Sequence, residues 1–204
     1  MQLTTTTFVS VDGVYQGPGG PDEDRSGGFD RGGWLAPHFD EAGGQVIDGI
    51  FSQVDAFLLG RRTFDIFASY WPKVTDPGNR VATTLNTLPK YVASTTLKDP
   101  DWANTTVIGG DLAAEVRELK QRPGRELQVH GSGALVRFLL ENDLVDRLNL
   151  LVFPVIVGAG RRLFPEQGTS TGLALESSRT TPSGVTISVY RPNGRAQFGT
   201  VGEG

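Results

Sequence analysis

The sequence predicts an α/β domain with a mostly parallel central sheet and an antiparallel C-terminal edge, and three observations carry that expectation. Short apolar or β-branched runs alternate with helical patterns through the first two thirds of the chain, the mark of successive βαβ units. The last strand-like runs, 148–157 and 185–190, have no helix between them, which suits an antiparallel edge. The chain has 204 residues, 38% of them hydrophobic and none of them cysteine, so one domain can bury a substantial core without disulfides.

Residues 3–11 are rich in Thr and Val and form the first expected strand. Asp12-Gly13 is a turn pair, and it opens a long loop with eight glycines between positions 12 and 33 and an acidic cluster, Asp22-Glu23-Asp24. So long an irregular stretch in a compact domain is either a functional loop or disordered. Between 37 and 53, Phe39, Val46, Ile47, Ile50 and Phe51 recur at helical spacing, with Asp40 or the stretch before it as the cap. Residues 54–59 form a short apolar run ending at Gly60, as a buried strand should. A helix over 63–70 follows and stops at Trp71-Pro72. The rhythm repeats with strands at 91–93, 105–108 and 127–129 and helices over 111–121 and 134–141. The expected domain spans 1–191, with a frayed polar tail over 192–204.

Composition narrows the function. A net charge of −4 without a basic block argues against nucleic acid as a partner. The N-terminus lacks a signal-like charged and apolar pattern, and no apolar run reaches the roughly 20 residues of a membrane span; a cytoplasmic protein is expected. His38 and His130 are the two histidines and lie far apart with no partner at metal-ligand spacing, so no metal site is expected.

Three strand ends carry small or polar residues, and in a parallel sheet all three open onto the rim where ligands sit. Gly60-Arg61-Arg62-Thr63 joins a buried strand to a helix. There, glycine, free helix N–H groups and two guanidinium forks suit a pyrophosphate or a ribose 2′-phosphate. The same residues would also serve as a solvated turn with Thr63 as helix cap. Ser94-Thr95-Thr96 offers hydroxyls at the next strand end, though such residues are common in turns. Gly131-Ser132-Gly133-Ala134 is a shortened glycine-rich strand-to-helix turn without the full dinucleotide fingerprint. Asp12 closes the first strand and either faces the pocket or simply leads its Asp-Gly turn. Trp34, Phe39 and Trp71 are candidate neighbours for a planar ring, or core aromatics.

Taken together, Ser10-Val11-Asp12-Gly13, then 58–64 with its Gly-Arg-Arg-Thr, then His130-Gly131-Ser132-Gly133, then 153–165 resemble the dihydrofolate-reductase-like superfamily. The sequence is most similar to the branch related to the reductase domain of bifunctional riboflavin-biosynthesis deaminase/reductases, over about residues 3–191. The resemblance implies a three-layer fold with a C-terminal hairpin and NADPH lying across the strand ends. It places Gly60, Arg61, Arg62 and Thr63 on the cofactor's phosphates, with one arginine on the 2′-phosphate. Ser94 and Thr95 would sit near the adenosine ribose, and Gly131, Ser132, Gly133 and Ala134 would offer backbone N–H groups to the pyrophosphate. Ser10–Gly13 and the 157–160 stretch with Gly158 would border the nicotinamide. A buried carboxylate on the first helix holds the pterin in folate reductases; Asp40 and Glu41 fall in that region, at a longer spacing from Gly60. Asp12 and Asp40 are thus the candidate catalytic residues, and Ser10, Trp34, Phe39 and Trp71 the candidate substrate pocket. The implied activity is hydride transfer from NADPH to a pterin, ribosylaminopyrimidine or flavin-like small molecule by a homodimer. The alternative is a non-catalytic dimeric protein of the same fold that binds NADP(H) or another ligand.

Overall fold

The computed structural model describes residues 1–202. Its first βαβ unit runs from β1 (Gln2–Ser10) through α1 (Glu41–Phe51) to β2 (Val54–Gly60). Next come α2 (Arg61–Tyr70), α3 (Arg80–Thr87), β3 (Lys90–Ala93) and β4 (Thr105–Ile108). The chain returns with α4 (Leu112–Gln121), β5 (Glu126–His130), α5 (Gly133–Glu141) and β6 (Arg147–Phe153), then closes with β7 (Leu173–Thr180) and β8 (Thr186–Pro192). One eight-stranded sheet has the order β4-β3-β2-β5-β1-β6-β8-β7. The pairings from β4 to β6 are parallel, and β8 runs antiparallel to both β6 and β7. The expected α/β architecture and antiparallel C-terminal edge are both present.

Two buried sets cover the two faces of the sheet. Val116 and Leu119 of α4 and Leu135, Val136 and Leu139 of α5 pack with Leu3, Leu58, Leu127 and Val129. On the other face Val46, Ile47 and Phe51 of α1, Phe64 of α2 and Leu85 of α3 pack with Phe57, Leu59, Leu151 and Phe153. β2 supplies side chains to both sets, which is why it reads as an unbroken apolar run. Truncating a side chain such as Leu58, which has no exposed surface, would cost roughly 2–5 kcal/mol through lost burial and a cavity. Thr4 to Thr7 of β1 are also buried, and part of their polarity is answered inside the sheet: Thr4 Oγ1 donates to Glu126 Oε2 (3.1 Å) and Thr6 Oγ1 accepts from Asn149 Nδ2 (3.2 Å).

Several expectations need correction. The strand expected over 148–157 stops at Phe153, because Pro154 has no N–H for the ladder and Val155 N folds back onto Phe153 O (2.7 Å). The helix expected from 37 begins at Glu41; Ala36–His38 is a separate 3-10 turn, and Asp40 is the cap. α3 was not anticipated. Its Thr83, Thr84 and Thr87 hydroxyls donate to carbonyls four residues back, and such residues lower helix propensity. β7 was missed as well, since every one of its residues is exposed and no apolar alternation marks it. The start of the expected tail is attached: β8 reaches Pro192, and Arg195 pairs with Asp143 (2.9 Å), whereas 203–204 lie outside the described residues. No helix among the described residues is long and apolar enough to cross a membrane.

Candidate functional site

The carboxyl ends of β2, β5 and β1 meet at one rim, and a reciprocal clasp joins the first two. Ser132 Oγ accepts from Gly60 N (3.0 Å), and Ser132 N donates to Thr63 Oγ1 (3.1 Å). The turn that makes this possible is left-handed at two successive residues, Gly131 (φ 54°) and Ser132 (φ 50°). A non-glycine residue at such a φ carries strain of order 1–2 kcal/mol, and here its two hydrogen bonds hold it there. The expectation that Thr63 caps a helix is replaced by a different role. Gly60 is the cap position, and Thr63 lies one turn inside α2 to serve Ser132.

The clasp sets the N-termini of α2 and α5 side by side. Among the described residues these are the two α-helices whose first turn takes no side-chain cap. By contrast α1, α3 and α4 are capped by Asp40, Asn79 and Asp111, whose oxygens accept from Gly43 N, Ala82 N and Ala114 N. A helix start without a cap leaves N–H donors and the positive end of the helix dipole available to an anion. Gly133 opens α5 because a Cβ there would stand 2.5 Å from the Tyr15 ring, which lies over that helix start.

The two arginines diverge. Arg61 Nε donates to both Asp65 oxygens (2.9 Å each), and its Nη1 reaches Thr96 Oγ1 (3.4 Å). Arg62 turns the other way, and its Nη1 donates to Ser26 Oγ (2.9 Å) in the glycine-rich loop. Ser94 closes a turn after β3, its Oγ accepting from Thr96 N (3.2 Å) and Leu97 N (3.0 Å). Gly60–Thr63, Ser94–Thr96 and Gly131–Ala134 therefore share the rim, as expected of adjacent parallel strands.

The glycine-rich loop is folded onto this rim. Gln16, 2% exposed, is its internal anchor: Nε2 donates to Asp24 O and Ser26 O, Oε1 accepts from Arg161 N, and its carbonyl accepts from Trp34 Nε1. Arg161 donates to Ser26 Oγ (2.8 Å) and pairs with Asp24. Burial opposes ionisation of Asp24, but Ser26 and the guanidinium groups of Arg161 and Arg62 hold its carboxyl below the usual range. The link from 24–26 to Arg161 spans more than 130 residues of chain and was not visible in sequence.

Asp12 stands where β1 meets the segment after β6. Its Oδ1 accepts from Ser10 Oγ (2.6 Å) and Val157 N (3.0 Å), and its Oδ2 from Gly158 N (2.9 Å), with Arg162 Nη2 at 3.7 Å. Burial resists the charge, but those donors outweigh it and bring the carboxyl to about 2, so Asp12 is an anion at neutral pH. Ser10, fully buried, also accepts from Val14 N, so its hydroxyl is spent on the turn. Asp40 binds Gly43 N (2.7 Å) through Oδ1 and Ser183 N (2.9 Å) through Oδ2; these bonds hold its carboxyl low and tie α1 to the β7–β8 turn.

The aromatic candidates are not gathered. Trp34 is buried edge-on against Phe153 at 5.8 Å, and Phe39 is 42% exposed at the start of α1. Trp71 follows the last turn of α2, at the opposite end of that helix from the phosphate-suited corner. His130 is buried between Phe51 and Phe57, and burial lowers its pKa to about 4, so it is a neutral core residue bonded to Gln128 (3.0 Å).

Residues 1–187 match a family model described as the RibD C-terminal domain. The chain is 32% identical over 145 residues to the uncharacterized protein YyaP of Bacillus subtilis (strain 168), covering 70% of this chain and 77% of that protein. It is 25% identical over 146 residues to the uncharacterized protein YwjB of the same organism, 72% of this chain and 78% of that one. Among solved structures it resembles a protein from Shewanella sp. PV-4 named for riboflavin biosynthesis, with a TM-score of 0.71, 23% identity, and 95% and 99% of the two chains covered. A diaminohydroxyphosphoribosylaminopyrimidine deaminase/5-amino-6-(5-phosphoribosylamino)uracil reductase from Thermotoga maritima aligns with a TM-score of 0.63 at 13% identity. That match covers 94% of this chain and 56% of the bifunctional one. At these identities the structural likeness speaks for the fold.

Proposed function

Since the chain belongs to the RibD C-terminal domain family, we propose that it is an NADPH-dependent reductase of a small planar heterocycle of the pyrimidine, pterin or flavin type. Family membership supports the coarser statement, an oxidoreductase-type domain. The observation that carries the finer one is the pair of uncapped helix N-termini joined by the Ser132–Gly60–Thr63 clasp. Such a pair, next to two arginines, fits a ligand with two linked phosphates better than a single carboxylate.

In this reading α5 from Gly133 and Ala134 and α2 with Arg62 hold the pyrophosphate. Arg61, with Ser94, Thr95 and Thr96 near it, takes the adenosine ribose and its 2′-phosphate. NADPH, when bound, supplies the hydride. Asp12 stays ionised and positions 157–158, with Gly158, beside the reacting end; it is a positioning residue, and proton delivery falls to another group. Homodimer formation is part of the proposal. Leu173 and Leu175, 40% and 58% exposed on the edge strand β7, support burial against a second copy.

One observation favours the second reading, a ligand-binding protein without turnover: both oxygens of each candidate catalytic carboxylate accept structural hydrogen bonds. NADPH binding followed by oxidation assays against pterin, flavin and ribosylaminopyrimidine substrates separates the two. Binding with turnover supports the reductase, binding without turnover supports the rival, and no binding removes the reductase and the NADP(H)-binding form of the rival.

A further inference from the structure

We propose that Asp24 and Ser26 are a built-in competitor for phosphate: in the free protein they occupy the Arg62–Arg161 pair, and an anionic phosphate-bearing ligand must displace them to enter. The inference rests on the reading of the rim as a phosphate site and adds its regulation.

Two guanidinium groups from distant elements converge on one oxygen. Arg62 of α2 and Arg161, beyond β6, donate to Ser26 Oγ at 2.9 and 2.8 Å. A hydroxyl oxygen has two lone pairs, and both are taken, while its proton goes to Asp24 Oδ1 (2.5 Å). Asp24 Oδ2 pairs with Arg161. Ser26 Oγ and the two Asp24 oxygens thus present to the arginines a compact set of three oxygens with one negative charge, the arrangement a phosphate would offer. The Asp24 side chain is only 8% exposed, so this is a seated charge and not an incidental surface pair.

Ser26 is followed by Gly27 and Gly28, at φ 70° and 78°, with open space where each Cβ would stand, so the backbone beside the latch can turn without a clash while Gln16 holds the Asp24 and Ser26 carbonyls. Asp22, on the same loop, pairs instead with Arg25 at the surface (3.0 Å), outside the arginine pair, and is an internal control of equal charge. The cost of opening the latch lowers the apparent affinity for ligand by the fraction of protein already open.

The test is calorimetric titration of the wild type, Asp24→Asn, Ser26→Ala and Asp22→Asn with inorganic pyrophosphate and with NADP⁺. Hydrogen–deuterium exchange of residues 17–33 is followed in parallel. The latch predicts that Asp24→Asn and Ser26→Ala each bind both probes about fivefold or more tightly. Exchange in the loop should be faster in both variants, and Asp22→Asn should change affinity less than about twofold. Equal gains for Asp24→Asn and Asp22→Asn would reduce the effect to general charge and overturn the latch. Weaker binding by Ser26→Ala would also overturn it, by making Ser26 a ligand contact. Pyrophosphate binding that tightens in both latch variants, without NADP⁺ binding, would sink the dinucleotide reading while leaving the latch supported; normal NADP⁺ binding by the wild type with no gain in either latch variant would sink the latch alone.

Discussion

Ser132 bears the most on the account, because one side chain there both carries backbone strain and joins two helix starts. Ser132→Ala removes the acceptor of Gly60 N and keeps the left-handed φ of 50°. A donor left unsatisfied in a part-buried site costs roughly 1–3 kcal/mol. Ser132→Gly loses the same bond but sheds strain of roughly 1–2 kcal/mol, offset by about 0.5–1 kcal/mol of extra chain entropy. The alanine variant should therefore be less stable than the wild type by about 2 kcal/mol, a fall in Tm of roughly 4–8 °C for a chain of this size. The glycine variant should lie between the two. Thermal and urea unfolding of the three proteins checks the order. An alanine variant as stable as the wild type, or a glycine variant less stable than the alanine one, would refute the clasp as described. Loosened corners should also weaken NADPH binding in Ser132→Ala, a separate readout from stability.

Other outcomes follow from the same geometry. Arg61→Ala should weaken NADPH more than NADH, by about tenfold, if its guanidinium reads the 2′-phosphate; equal losses in fluorescence titrations would assign it to the pyrophosphate that both share. Asp12 is ionised from about pH 2 in the folded chain and near 3.8 in the unfolded one, so its stabilisation is full above 3.8 and lost as pH falls through 2. Asp12→Asn should then cost on the order of 2 kcal/mol in urea unfolding at pH 7 and lower any turnover by displacing 157–158. His130 acts in the same direction over a higher pH window. Its unfolded form takes a proton near pH 6.5 while the folded form refuses it until about 4, so stability falls between those values by about 3 kcal/mol. Part of the acid slope should vanish in His130→Phe, and an unchanged slope would contradict a neutral buried imidazole. Gly133→Ala should be destabilising by roughly 1–3 kcal/mol, and much less so when Tyr15 is also alanine, as a double-mutant cycle would show.

What could be read from the chain were features whose cause is local. The βαβ rhythm, the Gly-Arg-Arg-Thr and Gly-Ser-Gly corners and the Asp40 cap all arise from neighbouring residues, and each appears in the structure. What could not be read is set by contacts far apart in sequence. Ser183, 143 residues from Asp40, takes one oxygen of its carboxylate. Arg161 and Arg162 lie inside the 153–165 stretch with no local sign of a partner, yet they hold Asp24 and flank Asp12 across the rim. β7 left no trace because its residues all face solvent, and apolar alternation appears only where one face is buried. Trp34 was drawn to the pocket by its chemistry, whereas Phe153 and Gln16 draw it into the core.

The central claim is that the rim seats a dinucleotide, and thermal unfolding of the wild type in NADPH tests it most directly. At about 100 times its Kd, NADPH should add roughly 2.7 kcal/mol and raise Tm by roughly 5–10 °C. An unchanged Tm in NADPH, NADH and NADP⁺ alike would contradict it.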